Sequence, residues 1–179
     1  MLKSSNKSIG ILGGSFDPVH RGHLLISKIA IKKMKLNKVL WIVTKQNPFK
    51  KKTFYSITHR IAKAKKLARN TKKIEVIYID KTIRSSRSIN VIKYLINNKK
   101  QKNIHFIIGS DNLIKFHKWK SWKKIVKKVK LIVFSRKGYD RKGMKSTVVK
   151  NFKNKIIFVK NKPISISSTQ LKKRKKFYI

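Results

Sequence analysis

The stretch IGILGGSFDPVHRGHLLI, residues 9–26, connects two apolar runs through a short polar loop. The first run, residues 9–12, has the length and composition of a buried β-strand. Two glycines follow at 13–14, after which the chain turns at Asp17-Pro18 and enters a segment with helical apolar spacing near Gly22. A strand, a glycine turn and a helix in this order predict the first unit of an α/β fold.

The same alternation of short apolar runs and helical spacing continues along the chain. The predicted strands are residues 9–12, 39–43, 74–80, 104–109, 129–134 and 156–159. The predicted helices are residues 23–34, 56–69 and 88–96. Alternating strands and helices require right-handed crossovers, which place helices on both faces of a sheet. We therefore predict an α/β fold with a Rossmann-like, doubly wound, mostly parallel sheet that binds ligands beyond the carboxyl ends of its strands.

The chain is predicted to form a single domain, 1–179, in which 166–179 is a C-terminal helical segment. No internal repeat and no Gly/Ser-rich linker divides the 179 residues. The absence of cysteine excludes disulfides and thiolate nucleophiles. No apolar run approaches the roughly 20 residues of a membrane span, and 1–8 do not resemble a signal peptide. We expect a cytoplasmic protein that does not bind membranes, and a homo-oligomer is compatible with the sequence.

The net charge of the chain is extreme, because 49 Lys+Arg face 5 Asp+Glu and give +44. Such an excess is typical of proteins that bind nucleic acid or another polyanion. Most of these cations, however, are lysines interleaved with Ile and Asn, and this pattern equally fits a drift towards AT-rich codons. We therefore do not expect nucleic acid to be the functional partner, although a basic nucleic-acid-binding protein on this fold remains an alternative.

The loop at residues 13–23 combines features that suit a phosphate group. The glycines allow close approach to the backbone, and the start of the following helix offers N–H groups and a favourable dipole. His20 and His23, spaced i and i+3, come to one side if the helix begins between them. Asp17 is expected either to serve a magnesium site or to cap the helix or shape the turn.

His20-Arg21-Gly22-His23 resembles the HxGH signature of the nucleotidyltransferase superfamily, and the whole chain resembles the bacterial nicotinate-nucleotide adenylyltransferase family. Five motifs in the same order carry this resemblance. They are GGSFDPVHRGH at 13–23, KQNPFK at 45–50, FIIGSDNLIKFHKWKSW at 106–122, FSRKG at 134–138 and ISSTQLKKR at 166–174. The resemblance implies adenylyl transfer from ATP to nicotinate mononucleotide in NAD biosynthesis, giving nicotinate adenine dinucleotide and pyrophosphate.

The resemblance also assigns roles to individual residues. His20 and His23 are the expected catalytic pair, donating hydrogen bonds to the triphosphate. Expected ATP contacts are Gly13, Gly14, Ser15, Phe16, Gly22, Lys50, Gly109, Asp111, Arg136, Ser167, Ser168 and Thr169. Expected substrate contacts are Ser88, His117 and Trp119. Asp111 is also predicted to cap the helix that follows Gly109. Because acids are few, we expect Mg²⁺ to arrive with ATP and not to occupy a protein-built metal site.

Two positions depart from the pattern of the family. Arg87-Ser88 stands where the family commonly has an aromatic-Thr pair, and Lys172 replaces the final arginine of ISSTxIR. A second member of the superfamily, pantetheine-phosphate adenylyltransferase, resembles the loop at 13–23 as well. It is not known for the KQNPFK loop or for the tryptophan segment, so these two motifs favour nicotinate mononucleotide as the acceptor.

Overall fold

The computed structural model describes residues 7–46 and 53–161, together with Ser168 and Leu171. Its centre is a six-stranded sheet in the order β3-β2-β1-β4-β5-β6, in which every strand pair is parallel. The strands are β1 Ser8–Gly14, β2 Lys38–Val43, β3 Ile74–Ile77, β4 Asn103–Gly109, β5 Lys130–Phe134 and β6 Ile156–Val159. This strand order is that of a doubly wound sheet, as the sequence predicts.

Three longer helices and five short ones connect the strands in the described ranges. The longer helices are α1 Arg21–Lys33, α2 Ile57–Ala68 and α4 Ser88–Asn97. The short helices are α3 Asp80–Ile83, α5 Ser110–Lys115, α6 Trp122–Lys128, α7 Asp140–Met144 and α8 Thr147–Phe152, and two 3₁₀ turns lie at Phe116–Lys118 and Lys153–Lys155. None of the helices within residues 7–46 and 53–161 is long and apolar enough to cross a membrane.

The predicted strands and longer helices agree with the observed bounds to within two residues, except for the third strand. The sequence predicts this strand over 74–80, but β3 ends at Ile77. Asp80 begins the short helix α3, and its buried carboxylate accepts a hydrogen bond from the Lys45 amide. The chain leaves the sheet here because a buried carboxylate needs polar donors, which a strand side chain facing the apolar core would not find.

Two hydrophobic cores lie on opposite faces of the sheet. The first contains Ile26 and Ala30 of α1 together with Ala64 and Ala68 of α2. The second contains Ile89, Ile92, Leu113 and Ile125 from α4, α5 and α6. The connections after β1 and β2 therefore run over one face, and those from β3 onwards run over the other. This change of side leaves a crevice between the carboxyl ends of β1 and β4, where ligands bind in folds of this type.

Arg60 of α2 joins the loops at this carboxyl edge. Its side chain is 2% exposed, and its guanidinium donates four hydrogen bonds to main-chain carbonyls. The acceptors are the carbonyls of Ser15 (2.6 Å), Thr44 (2.7 Å), Lys45 (3.0 Å) and Tyr55 (3.0 Å). Burial lowers the pKa of Arg60, while the charges of Asp17, Tyr78 and Asp80 act in the opposite direction. One planar fork thus fixes the ends of two strands and the start of α2.

We predict that Arg60→Lys lowers the free energy of unfolding by about 2–4 kcal/mol, measured by urea denaturation. An ammonium cannot reach four carbonyls that are arranged around a planar guanidinium, so buried acceptors lose their donors. Arg69→Lys, at the exposed C-terminal end of the same helix, is the matched control and should change stability little. Equal midpoints for both variants would contradict the structural role of Arg60.

We also predict a loss of stability at mildly acidic pH that depends on His105 of β4. Burial and the nearby Lys130 ammonium lower the pKa of His105 from its ordinary value of 6.5, and a backbone hydrogen bond with Ile9 offsets them in part. Below pH 6.5 the unfolded chain therefore binds a proton that the folded chain does not, and the free energy of unfolding falls with pH. His105→Gln should flatten this fall between pH 7.5 and 5.5, whereas His59→Gln, on the exposed face of α2, should not.

Candidate active site

The loop between β1 and α1, which follows Gly13 and Gly14 and which we call the glycine loop, lies at the crevice between β1 and β4. His20 is the N-cap of α1, and its Nδ1 accepts a hydrogen bond from the Gly22 amide at 3.2 Å. The Nδ1 of His23 accepts from the His20 amide, also at 3.2 Å, which completes a reciprocal capping box. The two rings lie 3.9 Å apart, centroid to centroid. The helix thus begins between the two histidines and brings them together, as the spacing predicts.

These caps determine which nitrogen of each histidine can donate. Because both Nδ1 atoms accept from backbone amides, each neutral ring carries its proton on Nε2. The His20 and His23 rings therefore present Nε2–H donors on one side of the α1 N-terminus. This arrangement suits a group rich in negatively charged oxygens. It corrects one detail of the sequence-based expectation, because the Gly22 amide is engaged by His20 and is not turned towards an anion.

Buried residues behind the histidines fix the first turn of α1. The indole N–H of Trp41 in β2 donates to the Ser27 hydroxyl at 2.8 Å, and this hydroxyl donates to the His23 carbonyl at 2.8 Å. Phe16, at φ 48°, packs its ring against both His23 and Trp41, with centroid distances of 4.9 and 5.5 Å. The Phe16 ring is 2% exposed. Its side chain therefore supports His23, and only its backbone is available for the predicted contact with ATP.

Asp17 holds a different loop from the one expected. Its carboxylate is 2% exposed and accepts hydrogen bonds from the amides of Phe54 (2.9 Å) and Tyr55 (3.0 Å), just before α2. The expectation that Asp17 caps the helix after the glycine loop is wrong, because His20 occupies the cap of α1. Ser15 likewise contributes its carbonyl to Arg60. Asp17 thus ties the glycine loop to the segment before α2, and Ser15 ties it to α2 itself.

A cavity of about 260 Å³ opens beside this loop. Its lining combines the backbone of Gly13 and Gly14 with aromatic, hydroxyl and cationic side chains, and the lining residues are Gly13, Gly14, Thr44, Ser86, Arg87, Ser88, Phe106, Lys118, Trp119, Lys120 and Ile125. A Cβ added to Gly13 would lie 3.9 Å from the ring of Phe106, which lines the cavity, and a Cβ added to Gly14 would lie 3.9 Å from Phe16. The structure therefore brings both glycines together with Ser88 and Trp119, as the sequence-based assignment requires.

Trp119 forms an aromatic wall of the cavity. Its ring stacks on that of Phe116, with ring centroids 4.7 Å apart, and makes a T-shaped contact with the Phe106 ring, with centroids 6.0 Å apart. His117, which was predicted to contact the substrate, is not among the residues that line this cavity. Its Nδ1 is buried and makes no hydrogen bond within the described part of the chain. Of the three residues assigned to the substrate, Ser88 and Trp119 line the cavity and His117 does not.

Gly109, Asp111 and Arg136 come together at the ends of β4 and β5. The Asp111 carboxylate lies 3.8 Å from Nε of Arg136. A Cβ on Gly109 would collide with this carboxylate and would approach the Arg136 side chain to 3.3 Å. The prediction that Asp111 caps α5 is wrong, because Gly109 occupies the N-cap and no side chain caps that helix. Asp111 pairs with Arg136 instead.

Ser110 and Asp140 support this cluster, and the sequence analysis missed both. The fully buried Ser110 hydroxyl donates to the Asp140 carboxylate at 2.6 Å, and the Arg136 amide donates to the same carboxylate at 3.0 Å. Burial alone would raise the pKa of Asp140, but hydrogen bonds from Ser110, Arg136 and Ser135 hold it below its usual range. These contacts fix where the backbone carries Arg136.

The predicted contacts Lys50, Ser167 and Thr169, and the departure at Lys172, lie outside the described residues. Ser168 is described, and its hydroxyl donates to the Pro18 carbonyl at 2.9 Å. The motif at 166–174 therefore reaches the glycine loop through Ser168.

The structure adds cavity residues that sequence reasoning did not select: Thr44, Ser86, Phe106, Lys118 and Lys120. Thr44 and Ser86 lie outside the five motifs. Phe106, Lys118 and Lys120 lie within the motif at 106–122, but nothing in that motif distinguishes them from their neighbours. Position after a strand was the one available signal, and it applies to Thr44, directly after β2.

Comparison with known proteins agrees with this site. The model of the family described as Cytidylyltransferase-like matches residues 11–174. A probable nicotinate-nucleotide adenylyltransferase of Pelagibacter ubique is 45% identical over 173 residues, which cover 96% of each chain. This chain belongs to the nicotinate-nucleotide adenylyltransferase family. It is a nucleotidyltransferase, and the resemblance seen in its motifs is confirmed.

Further matches extend this result. A probable nicotinate-nucleotide adenylyltransferase of Rhizobium johnstonii is 31% identical over 147 residues, covering 80% of this chain and 72% of the relative. The Plasmodium falciparum nicotinic acid mononucleotide adenylyltransferase, solved in complex with NaAD, has a TM-score of 0.74. That match covers 93% of this chain and 83% of the other at 18% identity. At this identity the likeness concerns the fold, and it confirms the predicted α/β class.

We predict that His20→Ala and His23→Ala each reduce kcat by about 100- to 1,000-fold, the usual cost of losing one preorganised donor. Because His20 also caps α1, His20→Ala should destabilise the protein by about 0.5–2 kcal/mol. His20→Asn keeps a cap acceptor and separates this loss from the loss of turnover. His59→Ala is the control, and circular dichroism should verify that all variants are folded. Turnover near that of the wild type in a folded His20 or His23 variant would remove that residue from the mechanism.

Proposed function

We propose that this nucleotidyltransferase moves the adenylyl group of ATP onto the phosphate of nicotinate mononucleotide. The products are nicotinate adenine dinucleotide and pyrophosphate, and the reaction belongs to NAD biosynthesis. One observation carries this proposal: a pair of Nε2–H donors and an aromatic, cation-rimmed cavity lie at the same edge of the sheet. The first suits a triphosphate and the second suits a mononucleotide with a flat ring.

The chemistry is a direct displacement at phosphorus. A phosphate oxygen of the mononucleotide attacks the α-phosphorus of ATP, a new P–O bond forms, and the bond to the β-phosphate oxygen breaks. The attacking oxygen is already ionised at neutral pH, so no protein nucleophile or base is needed. Catalysis then rests on positioning and on stabilising the charge that moves to pyrophosphate.

His20 and His23 supply this stabilisation in the proposed mechanism. Their Nδ1 atoms are held by backbone amides, so the rings do not reorient as charge develops on the leaving group. The open backbone at Gly13 and Gly14 lets phosphate oxygens approach closely. Arg136 and Asp111 face the adenosine portion, with Gly109 giving them room. On the family resemblance, Lys50, Ser167, Ser168 and Thr169 complete the contacts with ATP.

The cavity takes the nicotinate portion in this proposal. Trp119 offers an aromatic surface for stacking, while Ser88 offers a hydroxyl at the first residue of α4. Arg87, Lys118 and Lys120 give the cavity rim positive charge, which suits an acidic ring substituent and a phosphate. Arg87 thus replaces the aromatic residue of the family pattern with a cation.

Transfer of a nucleotidyl group from ATP generally needs a divalent metal, and we propose Mg²⁺ that arrives bound to ATP. The described carboxylates fit this role poorly as a metal cage. Asp17 and Asp140 accept hydrogen bonds from the backbone, and the carboxylate of Asp111 faces Arg136. No cluster of three or more metal-ligating side chains occurs in the residues that the structure describes. Triphosphate oxygens and water would therefore hold the metal. We also propose that the enzyme acts in the cytoplasm.

Parallel assays with three acceptors test the proposal. Purified protein receives ATP and Mg²⁺ with nicotinate mononucleotide, nicotinamide mononucleotide or phosphopantetheine, and pyrophosphate release is measured. We expect the highest kcat/KM with nicotinate mononucleotide. Release with phosphopantetheine alone would overturn the proposed acceptor, and no release with any acceptor would favour a nucleic-acid-binding protein, whose affinity should fall steeply with salt.

A further inference from the structure

Asp80 connects two segments that are distant in sequence and that both line the cavity. Its carboxylate, 6% exposed, accepts a hydrogen bond from the Lys45 amide at 2.8 Å. The same oxygen, Oδ2, accepts a short hydrogen bond from the Ser86 hydroxyl. Asp80 therefore bridges the segment that follows β2 and the segment that precedes α4.

Both bridged segments form walls of the cavity. Thr44, next to Lys45, lines the cavity, and so do the residues of Ser86–Ser88. We call these the 44–45 wall and the 86–88 wall. Arg60 donates hydrogen bonds to the carbonyls of Thr44 and Lys45, so the 44–45 wall is also held by α2. The carboxylate of Asp80 therefore links the two walls.

Other contacts of the 86–88 wall are local and do not reach across the cavity. The Ser85 amide bonds to the carbonyl of Asp80, and the Ser85 hydroxyl accepts from the Arg87 amide and the Asn90 side chain. Arg84, at φ 47°, turns the chain with left-handed backbone geometry just before this segment. Among the described contacts, the Ser86 hydroxyl is therefore the link from this wall through Asp80 to the opposite one.

The position of Asp80 suits a support and not a reacting group. It is absent from the lining of the cavity, and its other oxygen, Oδ1, is buried with no hydrogen-bond partner among the described residues. A buried, unpartnered carboxylate oxygen is costly, and such a group persists where it holds something else in place. The charge of Asp80 interacts with the positive charge of the buried Arg60.

We propose that Asp80 is a positioning residue that sets the width of the acceptor cavity through Ser86. It acts on binding of the mononucleotide, because the 86–88 wall contacts that cavity, and it does not act on the phosphate site at His20 and His23, which Asp80 does not touch. This inference rests on the proposed function, since the cavity is assigned there to nicotinate mononucleotide. Binding sites held by such supporting hydrogen bonds lose precision when the support is removed.

Steady-state kinetics of Ser86→Ala, Asp80→Asn and Asp80→Ala test the proposal. We expect Ser86→Ala to raise the KM for nicotinate mononucleotide roughly tenfold while kcat and the KM for ATP stay within about twofold. Asp80→Asn keeps an oxygen for both donors, so its KM should lie between those of the wild type and Asp80→Ala. Glu75→Ala is the matched control, because it removes one exposed carboxylate from β3 and should leave all constants unchanged.

A double-mutant cycle separates this role from a general loss of structure. If Asp80 acts through Ser86, adding Ser86→Ala to Asp80→Ala should change the KM for the mononucleotide less than twofold. Equal factors in both backgrounds would overturn the proposed link. A lower kcat together with a higher KM for both substrates in the single variants would also overturn it, since that pattern indicates damage to the whole site.

Hydrogen exchange of the ligand-free protein gives a readout that needs no substrate. The Lys45 amide, which donates to Asp80, should exchange faster in Asp80→Ala and at the wild-type rate in Glu75→Ala. Unchanged exchange in Asp80→Ala would contradict the bridge. Should the wild type release no pyrophosphate with nicotinate mononucleotide, the proposed function fails while this measurement still tests the role of Asp80 in the cavity walls.

Discussion

The arrangement at the carboxyl edge of the sheet depends on the buried guanidinium of Arg60. Four of its five coplanar N–H groups donate to carbonyls from the glycine loop, from the end of β2 and from the segment before α2, and no other side chain type could do this. The carbonyls at strand ends otherwise face a water-poor interior, where an unmade hydrogen bond is expensive. The loops that carry the site are therefore held at fixed distances by one residue that takes no part in the chemistry.

The few carboxylates of the chain complete this frame. Asp17 holds the segment before α2, Asp80 holds the ends of two cavity walls, and Asp140 holds the backbone at Arg136. The described partners of these three carboxylates are backbone amides and hydroxyl groups. Backbone amides and hydroxyls are fixed in place, so they define a geometry that a mobile ammonium on a long side chain does not. Glu75, by contrast, forms an exposed ion pair with Lys38 at 2.7 Å.

The histidine pair shows how the fold turns a common side chain into a directed donor. A solvent-exposed imidazole changes tautomer freely, whereas the reciprocal capping of α1 commits both Nδ1 atoms to the backbone. Trp41, through Ser27, then fixes the turn of helix that carries His23. Catalysis by preorganised donors needs this rigidity, because a donor that must reorient during the reaction loses much of its effect.

Sequence alone determined the class of fold, the position of the longer elements and the pairing of His20 with His23. These features follow from local rules: apolar periodicity distinguishes strands from helices, and an i, i+3 spacing at a helix start brings two side chains together. The motif at 106–122 also pointed to Trp119, and the departure at 87–88 pointed to Ser88; both residues line the cavity. The helix caps predicted for Asp17 and Asp111 were wrong because a cap can be supplied by other residues, here His20 and the backbone at Gly109.

Only the tertiary structure decided what the carboxylates and Arg60 do. Most partners of Arg60 lie 15 to 45 residues away from it in the sequence. Lys45 and Asp80, which share a hydrogen bond, are 35 residues apart. No local pattern encodes such a contact, because any of the many polar groups in the chain satisfies the same donor. The parallel sheet resolves this choice: it gathers the carboxyl ends of distant strands at one edge, and the groups that meet there become partners.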